Sequence, residues 1–152
     1  FPTRRSSDLQ WFCNDFGYRP VTFRATQLVG SERLPVYHTN VMLSVAENFA
    51  VVCLESIQDN AEKRMLTEQL QQTGKEIVEI SLEQMGQFSG NVLQLKNAEG
   101  DRFLVISECG YNALDEIQKN RLASFNKLIV IPVPTIEKYG GGSVRCMIAE
   151  VF

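Results

Sequence analysis

The sequence predicts an α/β fold built from repeated ββαβ units. Residues 37–80 and 91–131 read in the same order: strand, turn, strand, helix, strand. Their first strands align as Asn40-Val41-Met42 and Asn91-Val92-Leu93, and a third alignment falls on Cys146-Met147-Ile148. Each unit is about fifty residues long, the period range of repeat and propeller-like arrays.

Taken in order, residues 9–16 read as the end of a helix stopped by Gly17. Residues 21–24, Val-Thr-Phe-Arg, read as a short strand. Residues 27–35 are polar, contain Gly30 and Pro35, and read as a loop. The first unit then opens with a strand at 40–45, a turn at Glu47-Asn48 and a buried apolar strand at 49–54. Asp59 opens a helix, with Glu62 three residues on to complete a capping box. Ala61, Met65, Leu66 and Leu70 form its apolar stripe, Gly74 ends it, and residues 76–80 close the unit as a strand.

Between the units, residues 81–85 form one helical turn, capped by Ser81 with Gln84 at the third helical position. The second unit has strands at 91–95 and 103–106 around a turn at 97–100. A helix over 115–125 places Leu114, Ile117, Leu122 and Phe125 on one face, and residues 128–131 supply the closing strand. The glycine run and the strand after Cys146 then look like the start of a third unit, cut off after one strand.

A chain of 152 residues with 44% hydrophobic residues is long enough for a real core. A net charge of −3 gives no electrostatic reason to propose nucleic acid or an anionic membrane as partner. No apolar run reaches membrane-span length, and no basic-then-apolar leader opens the chain. Cys13, Cys53, Cys109 and Cys146 form no C-x-x-C pair, which favours free thiols in a reducing, cytoplasmic compartment. One histidine and scattered cysteines make a zinc site a poor reading.

Residues 1–9 have no periodicity and match one reading frame of a common sequencing-adapter oligonucleotide. They are set aside as an artefact, as a fusion scar would be. Residues 10–152 are then expected to be the C-terminal portion of a single longer domain, with open strand edges where other repeats belong.

The candidate chemistry lies in Gly140-Gly141-Gly142-Ser143-Val144-Arg145-Cys146 and in His38, the one histidine, which starts a predicted strand. The glycines let backbone approach a ligand without Cβ interference. If equivalent strand ends meet on one axis, Asn40, Asn91 and Cys146 converge together with His38. Cys13 in a helix and Cys53 in an apolar strand read as structural, as does Cys109.

The repeated units, the His38-Thr39-Asn40 strand start and the terminal G-G-G-S-V-R-C-M resemble the amidinotransferase superfamily, also called the pentein or guanidino-group-modifying fold. Within it, the arginine deiminase-related, citrulline-utilisation hydrolase branch is the most similar. Leu82-Glu83-Gln84-Met85, Gly90-Asn91-Val92-Leu93 and Pro134-Thr135-Ile136-Glu137 extend the likeness along the chain. The resemblance implies a five-bladed pseudosymmetric α/β propeller, incomplete here, with a central site. It implies Cys146 as the nucleophile and His38 as the proton carrier, with Asn40, Asn91 and Gly90 as substrate-binding positions. It implies no cofactor and no metal. An acidic residue that the family places ahead of the histidine is absent from this chain, and the chain alone is expected to be inactive.

Deiminases carry Asp two positions after the histidine, where this chain has Asn40. A guanidinium cation suits a carboxylate fork, whereas a neutral ureido group offers an acceptor oxygen and donor nitrogens that an amide complements. The expectation is a hydrolase that cleaves a C–N bond of a ureido or guanidino amino acid, citrulline-like, through a cysteine covalent intermediate. Arginine deiminase or amidinotransferase activity, or a non-catalytic binding module of the same fold, are the alternatives. The partner expected is a small-molecule amino acid, and the full-length protein has room to form a homo-oligomer.

Overall fold

A computed structural model describes residues 6–149. Helix α1 (Ser6–Phe16) ends where Gly17 turns left-handed at φ 68°. Residues 6–9 of the adapter-like segment are thus helical, and residues 1–5 lie outside the described residues.

The next segment departs from expectation. Residues 21–24 form no strand; instead Ala25 makes a single antiparallel bridge to Ile57. Where a loop was expected, β1 (Thr26–Val29) and β2 (Glu32–Pro35) pair as an antiparallel hairpin. Gly30 at φ 62° takes the left-handed position of its tight turn. The hairpin is largely exposed on both faces, so its residues carry no apolar alternation.

Two sheets of identical topology follow. In the first, β3 (Leu43–Val45) lies antiparallel to β4 (Phe49–Val52), and β5 (Glu76–Glu79) lies parallel to β4. In the second, β6 (Leu93–Lys96) lies antiparallel to β7 (Arg102–Ser107), and β8 (Lys127–Ile131) lies parallel to β7. Parallel neighbours need a crossover. Helix α2 (Asn60–Gln72) provides it in the first unit, and α4 (Glu108–Ala113) with α5 (Glu116–Phe125) in the second. The ββαβ repeat is therefore present twice. Central strand β4 is buried along its whole length, and Leu104 to Ile106 of β7 are buried as well. A continuous core joins the units, with Phe49 stacked on Phe125 at 5.0 Å between ring centroids.

Caps decide the helix starts. Asp59 accepts from the backbone N–H groups of Ala61 and Glu62 at 2.7 and 3.0 Å. Glu62 does not complete the capping box; its carboxylate accepts instead from the Arg24 backbone N–H at 2.8 Å. That bond pins the preceding segment to α2. In α3 (Leu82–Gly86) the Ser81–Gln84 box closes in full, and Asp115 with Gln118 forms a second complete box on α5. On α2 the buried residues are Leu66 and Leu70, while Met65 is 39% exposed. Ile117 departs further, since it is 81% exposed and leaves Leu114 and Leu122 to fill the core. Two helices have no forecast in the sequence reading: α4, capped by the Ser107 hydroxyl on the Gly110 N–H, and α6 (Pro134–Gly140).

The expected strand starts are corrected at all three unit entries. Thr39–Val41 is a 3₁₀ turn, Gly90-Asn91-Val92 has no strand pairing, and Val144–Met147 is again a 3₁₀ turn. Strands begin only at Leu43 and Leu93. The cause is local hydrogen bonding. Val41 N–H bonds to His38 O, Asn91 N–H to Phe88 O and Cys146 N–H to Ser143 O, so short-range bonds satisfy backbone that no neighbouring strand reaches. The strand expected at the chain end is absent over Met147 to Ala149, and residues 150–152 lie outside the described residues.

The units meet at backbone distance. A Cβ on Gly90 would stand 2.4 Å from the Val41 carbonyl oxygen, so only glycine permits this contact. Gly90 is buried, and its closest approach is to the Val41 backbone at the junction of the two units. Replacing it with alanine must push the two unit entries apart. Gly90→Ala is expected to lower stability by about 1–3 kcal/mol, read as a lower denaturation midpoint with an unchanged urea slope. A midpoint equal to wild type would contradict this close approach.

Across the units, buried Ser44 donates to Val92 O at 2.7 Å, and Arg102 forms a bidentate pair with Glu47 at 2.7 and 2.8 Å. Arg121 pairs likewise with Glu76. No helix among the described residues is long and apolar enough to cross a membrane.

Candidate active site

Cys146 sits in the 3₁₀ turn that follows the glycine loop, and its side chain is exposed. Two amide side chains reach it from the two complete units. Asn91 Nδ2 lies 3.2 Å from Cys146 Sγ, and Asn40 Nδ2 lies 3.6 Å away. The three residues aligned by the repeat therefore meet at one sulfur.

Asn91 is the hub of this arrangement and is 2% exposed. Its Nδ2 also donates to the Asn40 carbonyl at 3.3 Å, and its Oδ1 accepts the Arg145 backbone N–H at 3.2 Å. It thus ties the first unit to the cysteine turn and presents N–H toward sulfur. Buried amide groups held this way have one allowed orientation, because a flip would break both bonds.

The glycine loop closes the other side. Helix α6 ends at Gly141 in the left-handed region, φ 68°. At Gly142 a Cβ would stand 3.2 Å from Cys146 Cβ and 3.3 Å from its Sγ. A side chain there would crowd the sulfur, so glycine keeps the thiol accessible. Ser143 is fully buried and donates to Glu137 at 2.7 Å, which anchors the loop downstream.

His38 precedes the first 3₁₀ turn with extended backbone and an exposed side chain. It lines a cleft of about 410 Å³ together with Tyr37, Asn40, Phe23, Val36 and Met42. Asn40 is shared between this cleft and the Cys146 contacts, and Cys146 itself does not line the cleft. The structure therefore joins His38 to the cysteine through Asn40 and Tyr37 rather than by direct contact. Tyr37 packs edge-on against the His38 ring, 5.5 Å between centroids, and donates its hydroxyl to Gly141 O at 2.7 Å. Nothing in the sequence singles Tyr37 out, since a tyrosine before a histidine carries no periodic or motif signal.

Charge around the sulfur is positive on one side. Arg145 is half-buried, and its guanidinium donates to the Leu43 carbonyl at 3.0 Å. Burial pulls the Arg145 pKa down and the neighbouring Cys146 charge pushes it up, so the two groups feel each other. The other thiols differ in setting. Cys53 is fully buried, and desolvation raises its pKa to about 11. Cys109 is pushed up by burial and by Glu137, and its Sγ contacts Gln87 Oε1 at 3.0 Å. Cys13 is buried. Among the described residues, no group of three or more His, Cys, Asp or Glu side chains is placed to hold a metal ion.

Comparison with known proteins adds to this geometry. A family model described as N,N dimethylarginine dimethylhydrolase, eukaryotic, matches residues 4–152. The apo crystal structure of ArgZ, an arginine dihydrolase from the ornithine-ammonia cycle in cyanobacteria, is similar with a TM-score of 0.65 at 14% identity. That likeness covers 94% of this chain and 20% of that chain. At this identity it shows a shared fold, the repeated-unit pentein architecture, and this chain spans about a fifth of that enzyme's length. No curated protein matches this chain.

Proposed function

Because the chain belongs to the dimethylarginine dimethylhydrolase family, within the amidinotransferase superfamily of pentein-fold hydrolases, we propose that the intact protein hydrolyses a C–N bond at the guanidino carbon of an arginine-type amino acid. The observation that carries the reading is Cys146: an exposed thiol that two amide N–H groups approach, with Gly142 leaving its open side free.

The reaction follows from that setting. The Cys146 thiolate adds to the guanidino carbon and forms a C–S bond. The leaving nitrogen departs as an amine or ammonia, and His38 supplies its proton. The same imidazole then takes a proton from water, the hydroxide adds to the carbon, and the C–S bond breaks to regenerate thiolate. The product is a ureido amino acid. Asn91 and Asn40 are placed to donate to a charged sulfur, and such bonds are stronger than those to a neutral one.

The structure also bears on substrate choice. Asn40 was expected to complement a neutral ureido group. Its side-chain N–H faces Cys146 instead, and its backbone carbonyl accepts from Asn91. An N–H turned to the nucleophile is not turned to a substrate oxygen, which favours a guanidino substrate over citrulline. A purely binding role would give no reason for an accessible thiol held by two donors.

The test is a substrate panel. The intact protein is incubated with N,N-dimethylarginine, arginine and citrulline, and amine, ammonia and ureido product are measured. Amine or ammonia release with a matching ureido product from a guanidino compound is expected. Release from citrulline alone, or from none of the three, would sink the proposal.

A further inference from the structure

We infer that Tyr37 is a positioning residue that fixes the glycine loop, and with it Cys146, against His38. This deepens the proposed function and rests on that reading of Cys146 and His38.

The argument begins with the loop. Gly140, Gly141 and Gly142 have no side chains with which to anchor themselves, and glycine backbone has the most freedom to lose. Downstream, buried Ser143 is held by Glu137. At the loop itself, the Tyr37 hydroxyl reaches across 104 residues of sequence to the Gly141 carbonyl at 2.7 Å. The next residue, Gly142, is the one packed against Cys146 Cβ and Sγ. One hydrogen bond therefore sets the wall of the sulfur.

The same side chain touches the other half of the site. Its ring packs edge-on against His38, and both line the cleft shared with Asn40. Tyr37 thus connects the His38 ring to the loop beside Cys146. Burial and then the Cys146 charge raise its phenol above the ordinary tyrosine value, so it remains a donor at neutral pH. A displacement of about 1 Å between reacting groups costs on the order of a hundredfold in rate. Beside the Ser143–Glu137 bond, the Tyr37 hydroxyl is what holds the loop backbone at Gly141.

The test is Tyr37→Phe in the intact protein. This variant keeps the ring against His38 and removes the hydroxyl. Three measurements are made: hydrogen exchange over residues 140–146, alkylation of Cys146 by iodoacetamide, and kcat and KM on the guanidino substrate. Exchange over the loop is expected to be several-fold faster. The rate of alkylation should stay within about twofold, because the thiol and its two amide donors are unchanged. kcat should fall by about 10–100-fold with KM within about twofold, the signature of lost positioning.

Unchanged exchange would overturn the inference, as would unchanged kcat in a protein that turns over. A drop in alkylation equal to the drop in kcat would also overturn it, since the hydroxyl would then act on the thiol itself. Should the wild-type protein hydrolyse none of the panel, the proposed function falls, while loop exchange still decides the tether.

Discussion

Cys146→Ser should lower turnover by at least about a thousandfold while leaving the fold intact. The sulfur is exposed and contributes nothing to the core, so exchange for oxygen creates no cavity and no strain. Its amide neighbours still find an acceptor in a hydroxyl. What is lost is nucleophilicity, because an alcohol is scarcely ionised near neutral pH and no general base touches it directly. The check is kcat on the guanidino substrate beside a circular-dichroism melting curve. Turnover within tenfold of wild type would exclude a covalent role for this residue.

Asn91→Asp should be nearly as damaging, for an electrostatic reason. The substitution keeps the shape and keeps an oxygen for the Arg145 N–H. It removes the N–H that faces Cys146 Sγ at 3.2 Å and puts negative charge there. Like charge at such a distance disfavours ionisation by roughly one to three pH units. A thiolate would form only at higher pH, so the midpoint of iodoacetamide labelling should move upward by about that amount. Turnover should fall across the pH range in which the wild-type thiol is ionised and the variant's is not. The lost bond to the Asn40 carbonyl adds a smaller cost in stability. Labelling that follows the wild-type pH curve would show that Asn91 does not govern the sulfur.

Much of this is legible in the sequence, for specific reasons. Ser81–Gln84 announced α3, and the common order of strands and helices announced two units that the sheets reproduce. Such signals depend on near neighbours or on repetition. The alignment of Asn40, Asn91 and Cys146 belongs to the second kind, and the three do meet. What stayed hidden depends on distant partners. The β1–β2 hairpin has no buried face to imprint a pattern. Glu62 looked like a local cap and bonds Arg24 instead. Ile117 fits the apolar stripe of α5 yet faces outward, while Leu114, Leu122 and Phe125 supply the packing. Tyr37 works through a carbonyl 104 residues away, which no local motif records.

The way the two sheets share one site has a kinetic consequence. Within each unit, strands and helix join through short connections, so their closure costs little chain entropy. The contacts at the sulfur join residues separated by 55 and 106 positions. They form only once the two units meet at Gly90 and Val41. A refolding chain therefore regains its helical and sheet signal before it gains a working nucleophile. Anything that slows the meeting of the units delays activity, and the reactivity of one thiol marks the moment at which two stretches of chain become a single molecule.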